Sequence, residues 1–298
     1  MSVILTKGLT KYYGSHIGVE DIDLNVEKGE KFGFIGPNGA GKTTSIRLLL
    51  NHLFPDSGQA KIFGHDIVSA SVKVKEITGY LPAEPNFYSK MKVLEFLEYN
   101  SAFYKKRPER SKIFEYAGFF DLDTNKRIEE LSSGNKKKVA IIQAFVHDPK
   151  LLILDEPTGG LDPLMQSRLF DLIEKENEKG KTIFFSSHVL SDVQKICDRV
   201  AIIRKGRIIK TESIESLKEN MFKRVKITFH DKDQINKFEI NSKLNPVVEN
   251  NKLIFNYTAS INDLLHHLSR FDINNLTIED ASLDEIFMQY YTNEEELI

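Results

Sequence analysis

Residues 31–44 read KFGFIGPNGAGKTT, a short apolar run that passes through three closely spaced glycines into the helical pattern SIRLLLNHLF, which is expected to end at Pro55. A buried strand feeding a helix through a glycine loop is half of a β-α-β unit, so the order predicts an α/β fold built on a mainly parallel sheet. The segment from Gly36 to Thr43 also matches G-x-x-x-x-G-K-[ST], the spacing of a phosphate-binding loop. Glycines at Gly36, Gly39 and Gly41, together with Pro37, Asn38 and Ala40, let backbone N–H groups curl around an anion at a helix N-terminus. Lys42 is then placed to reach β- and γ-phosphates, the Thr43 hydroxyl to ligate Mg2+, and Thr44 to complete the loop.

Further apolar runs at 151–154 (LLIL), 182–187 (TIFFSS) and 200–204 (VAIIR) read as strands separated by helical segments. The run LLILDEP delivers adjacent carboxylates to the carboxyl edge of the sheet, where open α/β folds bind ligands. Asp155 suits Mg2+, and Glu156 suits a general base that orients a water and takes its proton. TIFFSSH brings His188 to the same edge, within reach of a γ-phosphate and of Glu156. GGLDP places Asp162 and Pro163 as a good helix start. Base identity is read less directly: N-K-x-D, a guanine reader, is absent from the sequence, and Tyr13 before Gly14 is suited to stack on an adenine ring. The stretch LSSGNKKKV (131–139) offers a second Gly/Ser-rich helix start. Ser132 or Ser133 serves there as a plain N-cap, unless the helix end meets a phosphate. The chain's own nucleotide is already enclosed by residues 36–44, so that phosphate would belong to another chain.

The chain has 298 residues with 41 basic against 43 acidic side chains. This balance gives no global field for nucleic acid, and none is expected as a partner. A single cysteine, Cys197, excludes an intramolecular disulfide and reads as filler on a helix face. The N-terminus lacks an apolar signal core, and the apolar runs are broken by charge or proline short of the roughly 20 residues a membrane span needs. Any membrane role is therefore expected to go through a partner.

A composition shift divides the chain into an expected ATPase domain, residues 1–218, and a C-terminal α+β accessory domain, 219–298. The first carries a mostly helical insert over about 89–145. The second reads as strand 224–229, helix 231–239, strands near 247 and at 253–257, helix 261–270 and strand 273–279, an order that resembles the small ferredoxin-like unit. A last helix opens with Ser282 and Glu285 at capping-box spacing and repeats Leu283, Ile286, Phe287 and Tyr290 on one face.

Taken in order, Tyr13, the loop 36–44, LSSGN, LLILDEP, GGLDP and His188 resemble the nucleotide-binding subunit of ABC transporters over residues 1–218. The single ATPase unit, with an extension ending SLDEIFMQYY before its last residues, resembles the ATPase subunits of bacterial drug, bacitracin-type and peptide exporters. That resemblance implies a P-loop core of ABC ATPase type, ATP and Mg2+ as cofactors, a separate membrane-spanning subunit, and a place at the cytoplasmic face of the membrane. It also implies a second ATPase subunit, identical or not, closing head to tail so that Ser132 and Gly134 of one touch the γ-phosphate held by Lys42 of the other, with Asp162 close to the nucleotide. Rival readings are a soluble non-transport ATPase of the same superfamily and a nucleotide-sensing module without turnover. Two motifs depart from the family's pattern. Ala83 in GYLPAEP occupies a place where Gln or Glu is usual, leaving neighbouring Glu84 as a substitute. Ser133 stands where glycine is common, at a cost of about 1 kcal/mol if its φ is positive, and Asn135 where Gln or Met is common.

Overall fold

The computed structural model describes residues 1–219, 222–231, 234–235, 238 and 246–280. At its start lies an antiparallel sheet formed by β1 (Ser2–Tyr13), β2 (His16–Ile22), β3 (Asn25–Glu27), β5 (Ser57–Ile62) and β6 (His65–Asp66), in the order β2-β1-β5-β6 with β3 also on β1. None of these strands is announced by strict alternation. In β1 the adjacent pairs Val3–Ile4 and Leu9–Thr10 are buried, Gly8 sits at φ 57°, and the pairing register shifts between Leu9 and Lys11. Such irregularity erases the period of two by which a half-buried strand is recognised.

The second sheet carries the glycine loop. It is formed by β4 (Lys31–Ile35), β7 (Thr78–Leu81), β8 (Leu151–Asp155), β9 (Thr182–Ser187), β10 (Arg199–Arg204) and β11 (Arg207–Ser213), in the order β11-β10-β4-β9-β8-β7. All neighbours are parallel except β10 and β11. Every residue of β8 and β9 is buried, which explains the apolar runs Leu151–Leu154 and Ile183–Phe185. Phe184 stacks on Phe32 at 6.0 Å between ring centroids and meets Phe34 at 5.4 Å. Because β9 lies between β4 and β8 and all three run the same way, their carboxyl ends converge. That edge is where the sequence places the loop, the two carboxylates and His188.

Helix α1 (Lys42–Leu49) begins directly on the loop and is shorter than the run to Pro55. Leu50 caps it and Asn51 turns left-handed at φ 51°. Asn is one of the few residues that tolerates this conformation after a helix, so it ends the helix before the proline is reached. Helix α2 (Ser71–Ile77) precedes β7, and α3 (Val93–Ser101), α4 (Arg110–Phe119), a short 3-10 turn at Ile128–Glu130 and α5 (Ser133–Phe145) fill the stretch between β7 and β8. Helices α6 (Pro163–Glu178) and α7 (Leu190–Ile196) follow. Cys197 caps the end of α7 in an extended conformation and does not lie on a helix face. Its Sγ would stand 3.2 Å from a Cβ on Gly33, and burial pushes its thiol pKa far up.

The chain separates into two compact units, Met1–Ile214 and Glu215–Ile298. Helix α8 (Ile214–Glu219) begins at that boundary. In the second unit β12 (Lys223–Phe229), β13 (Val247–Glu249), β14 (Lys252–Tyr257) and β15 (Ile273–Asp280) form an antiparallel sheet ordered β13-β14-β12-β15. Helix α9 (Ile261–Leu268) lies between β14 and β15 in sequence, and Leu264 and Leu268 join Val225, Ile227, Phe229, Leu253 and Phe255 in one apolar core. Most of the helix expected at 231–239, and all of the one opening at Ser282 with Glu285, Leu283, Ile286, Phe287 and Tyr290, lie outside the described residues.

Candidate functional site

The loop from Gly36 to Gly41 owes its path to residues without side chains. A Cβ on Gly36 would come within 2.2 Å of the Ile203 carbonyl oxygen, and Gly39 and Gly41 take φ values of 79° and 110° that other residues rarely adopt. Ala40 N–H donates to the Pro37 carbonyl at 3.1 Å, and Asn38 and Gly39 are exposed at the tip. No side chain caps the first turn of α1, so its N–H groups face the loop's interior as an anion site. Lys42 is buried, donating to the carbonyls of Gly36 at 2.7 Å and Pro37 at 3.2 Å. Thr43 and Thr44 follow, both half-buried.

At the end of β8 the two carboxylates have different surroundings. Asp155 is fully buried and accepts from the hydroxyls of Thr43 and Ser186, each at 2.9 Å. Burial raises its pKa, and those two hydrogen bonds oppose the rise. Two hard oxygen donors, the Asp155 carboxylate and the Thr43 hydroxyl, suit Mg2+, which commonly completes its octahedron with phosphate oxygens and water. No group of three or more His, Cys, Asp or Glu side chains is placed to hold a metal among the described residues. A cation here would therefore depend on the nucleotide for further ligands.

Glu156 takes the left-handed conformation at φ 46°, although it is not glycine. Non-glycine residues held there persist where their surroundings over-determine them, and such strain collects at functional sites. Here the Glu156 N–H donates to the Ser186 carbonyl at 3.0 Å, and the Glu156 carbonyl accepts from Lys137 Nζ at 3.0 Å. The resulting turn aims the side chain between Lys42 and His188. Its Oε2 lies 2.7 Å from His188 Nδ1. Its Oε1 pairs with Lys42 Nζ at 3.2 Å, yet it is buried and accepts no hydrogen bond. The Lys42 contact is thus an ion pair without hydrogen-bond geometry. It leaves one carboxylate oxygen with free acceptor capacity beside the phosphate loop.

The loop after Glu156 is tied down by Thr158, whose hydroxyl donates to Asp192 at 2.7 Å, and by Gln166, whose amide donates to the Leu161 carbonyl at 3.1 Å. Asp162 caps α6, accepting from Met165 N–H at 2.9 Å with Pro163 as first helical residue. Ser132 caps α5 in the same manner, accepting from Asn135 N–H at 3.3 Å. Ser133 is the first helical residue and has no positive φ, so the expected strain at that position is not present. Gly134 packs closely: a Cβ there would lie 3.3 Å from the Gly160 carbonyl oxygen. Neither Ser132 nor Gly134 makes a hydrogen bond to Lys42, Thr43 or Asp155. Tyr13 ends β1 beside the turn at Gly14, with the edge of its ring over Gly18, where a Cβ would come within 2.7 Å of it. Half of the tyrosine surface remains exposed.

Two neighbours of the carboxylates were not foreseen. Ser186 is buried inside an otherwise apolar strand, and the serine pair in TIFFSSH was the available signal. Lys137 is buried in a lysine triplet that reads as a solvated charge run. Burial pulls its pKa down to about 8, against the opposing pull of Asp155 and Glu156.

A glycine loop at the end of β4, a buried carboxylate paired with its threonine, and a second carboxylate between lysine and histidine define a P-loop nucleoside triphosphatase. The family model described as ABC transporter matches residues 19–159. The chain is 36% identical over 236 residues to the bacitracin transport ATP-binding protein BcrA of Bacillus licheniformis, covering 78% of this chain and 77% of that protein. Among solved structures it is similar to an ATP-binding subunit of an ABC transporter, with a TM-score of 0.68, 27% identity, and 73% and 92% of the two chains covered. It shares its fold with a dimeric ATP-binding cassette solved in a post-hydrolysis state with ADP and Pi, with a TM-score of 0.65, 23% identity, and 71% and 98% covered. The chain belongs to the ABC transporter family, as an ATP-hydrolysing subunit. No helix among the described residues is long and apolar enough to cross a membrane.

Proposed function

We propose that this chain is the motor subunit of an exporter for a drug, toxin or peptide, driving a separate membrane-spanning subunit from the cytoplasmic face of the membrane. Transport of bacitracin by the relative BcrA supports the cargo class. The observation that carries the chemistry is the free acceptor oxygen of Glu156 beside Lys42. Backbone N–H groups of residues 36–44 and the Lys42 ammonium bind the phosphates of ATP, and Tyr13 stacks on the adenine. Thr43 and Asp155 would hold Mg2+, which supplies charge neutralisation on the phosphate oxygens when bound.

A water held by Glu156 attacks the γ-phosphorus as the bond to the β–γ bridging oxygen breaks. The water's proton passes to Glu156, and ADP and phosphate leave. His188, at 2.7 Å from Glu156, holds the carboxylate in line and can donate to the γ-phosphate. The Ser132 and Gly134 end of α5 makes no hydrogen bond to the chain's own site. It serves instead the nucleotide of a second ATPase subunit packed head to tail, with Asp162 at the same seam. Residues 1–218 form the ATPase domain and 219–298 an accessory domain.

The test is Glu156→Gln. The variant should bind ATP, cease hydrolysis and accumulate as a dimer with two trapped nucleotides, as seen by light scattering, while ADP leaves monomers. Ser132→Arg in the same background should abolish the dimer and spare ATP affinity. Monomers alone at saturating ATP would rule out self-pairing.

A further inference from the structure

Lys137 joins three segments that sequence keeps far apart. It is the fifth residue after the Ser132 cap, one turn along α5 from Gly134, and it is 4% exposed. Its ammonium donates to the carbonyls of Glu156 at 3.0 Å, Ala83 at 3.1 Å and Pro82 at 3.3 Å. Those three acceptors match its three hydrogens, so the buried charge is fully hydrogen-bonded without a carboxylate partner.

The acceptors are informative. One is the carbonyl of the residue held at φ 46°, whose peptide orientation decides where the Glu156 carboxylate points. The others lie in the loop following β7, where Ala83 has no polar side chain with which to reach the site. A lysine on the helix that starts with LSSGN thus grips both the peptide of the proposed base and the backbone of that loop. A purely structural lysine would need only some set of buried acceptors. This one draws on the strained peptide and on the backbone of Pro82 and Ala83, two residues without polar side chains.

We propose that Lys137 is a positioning residue, which clamps the Glu156 peptide and the Ala83 loop to the start of α5 so that a shift of that helix is felt at the carboxylate. The proposal rests on reading Glu156 as the base. Moving a reacting group by a fraction of an ångström affects the chemical step and leaves binding of the nucleotide at the phosphate loop alone, because the Lys137 ammonium donates to the carbonyls of Pro82, Ala83 and Glu156 and not to the loop 36–44.

Steady-state hydrolysis of Mg-ATP by the full chain, alongside calorimetric ATP affinity and thermal melting, tests this. Lys137→Met keeps the apolar stem and removes the donors. Its kcat should fall by about tenfold to a hundredfold, while KM and ATP affinity stay within about twofold. At least one donor-bearing replacement, Lys137→Arg or Lys137→Gln, should recover much of the loss. If Lys137→Met does not stay folded at the assay temperature, Lys137→Gln takes its place, with a partial fall in kcat at unchanged KM expected. Wild-type kcat in the folded variant, an equal loss of kcat and affinity, or Arg and Gln variants no better than Met would each overturn the clamp. Glu156→Gln runs as the control: retained turnover there would remove the base assignment itself, whereas inactive Glu156→Gln with fully active Lys137→Met would remove only the role of Lys137.

Discussion

Lys42 and Glu156 show how much of the chemistry rests on a few atoms. The Lys42 ammonium is held by two loop carbonyls and faces a carboxylate oxygen at 3.2 Å. A phosphate competes for the same donors, and each charge-assisted hydrogen bond is worth about 1.5–3 kcal/mol. Lys42→Ala should therefore weaken ATP binding by about tenfold to a hundredfold, measured by calorimetry. Unchanged affinity would contradict the loop assignment. Ser186 makes a different prediction. Ser186→Ala leaves Asp155 Oδ1 buried without its donor, which should cost about 1–3 kcal/mol in stability by urea unfolding, with no gain in ATP affinity.

Among the elements, strands that are buried on both faces were readable and irregular ones were not. KFGFI, LLIL, TIFFSS and VAIIR are interior strands of the six-stranded sheet, so most of their residues are apolar, and the structure places β4, β8, β9 and β10 within a residue of those runs. The antiparallel sheet around β1 went unread because bulges and Gly8 break its alternation. For the site, residues tied to a spacing rule were visible: the loop, Asp155, Glu156, His188. Lys137 was hidden by its two lysine neighbours, though it continues the buried face of α5 with Ala140, Ile141 and Ala144. Charge masked a periodicity that position alone would have shown.

Helix α6 carries another buried charge, Glu176, bound by Lys181 and by Lys179 at 2.7 Å, with Tyr116 Oη at 3.4 Å. Burial would raise its pKa, but the hydrogen bonds from Lys179 and Lys181 outweigh this and hold it below the ordinary value. A carboxylate depressed in the folded state stabilises above its unfolded pKa, and that contribution is lost as pH falls through the folded value. Glu176→Gln should thus destabilise the chain by about 3 kcal/mol at neutral pH. The difference from wild type should shrink in urea melts taken below pH about 4.

For the molecule as a whole, all the residues assigned to the nucleotide precede Ile214, where the first compact unit ends. A chain truncated after residue 218 should therefore retain ATP affinity within about twofold, since no residue beyond that point is assigned a phosphate contact. Loss of binding in a folded truncation, checked by calorimetry and circular dichroism, would show that the second unit completes the site. The buried Cys197 has a practical consequence for measuring the motions such a motor requires. A thiol that is shielded from solvent and held protonated is inert to maleimides and disulfide reagents. Fluorophores or spin labels can then be attached through cysteines introduced at the exposed Val72 and in the second unit while the native thiol stays in place, and distances between the labels would follow movement through the ATP cycle without a background signal.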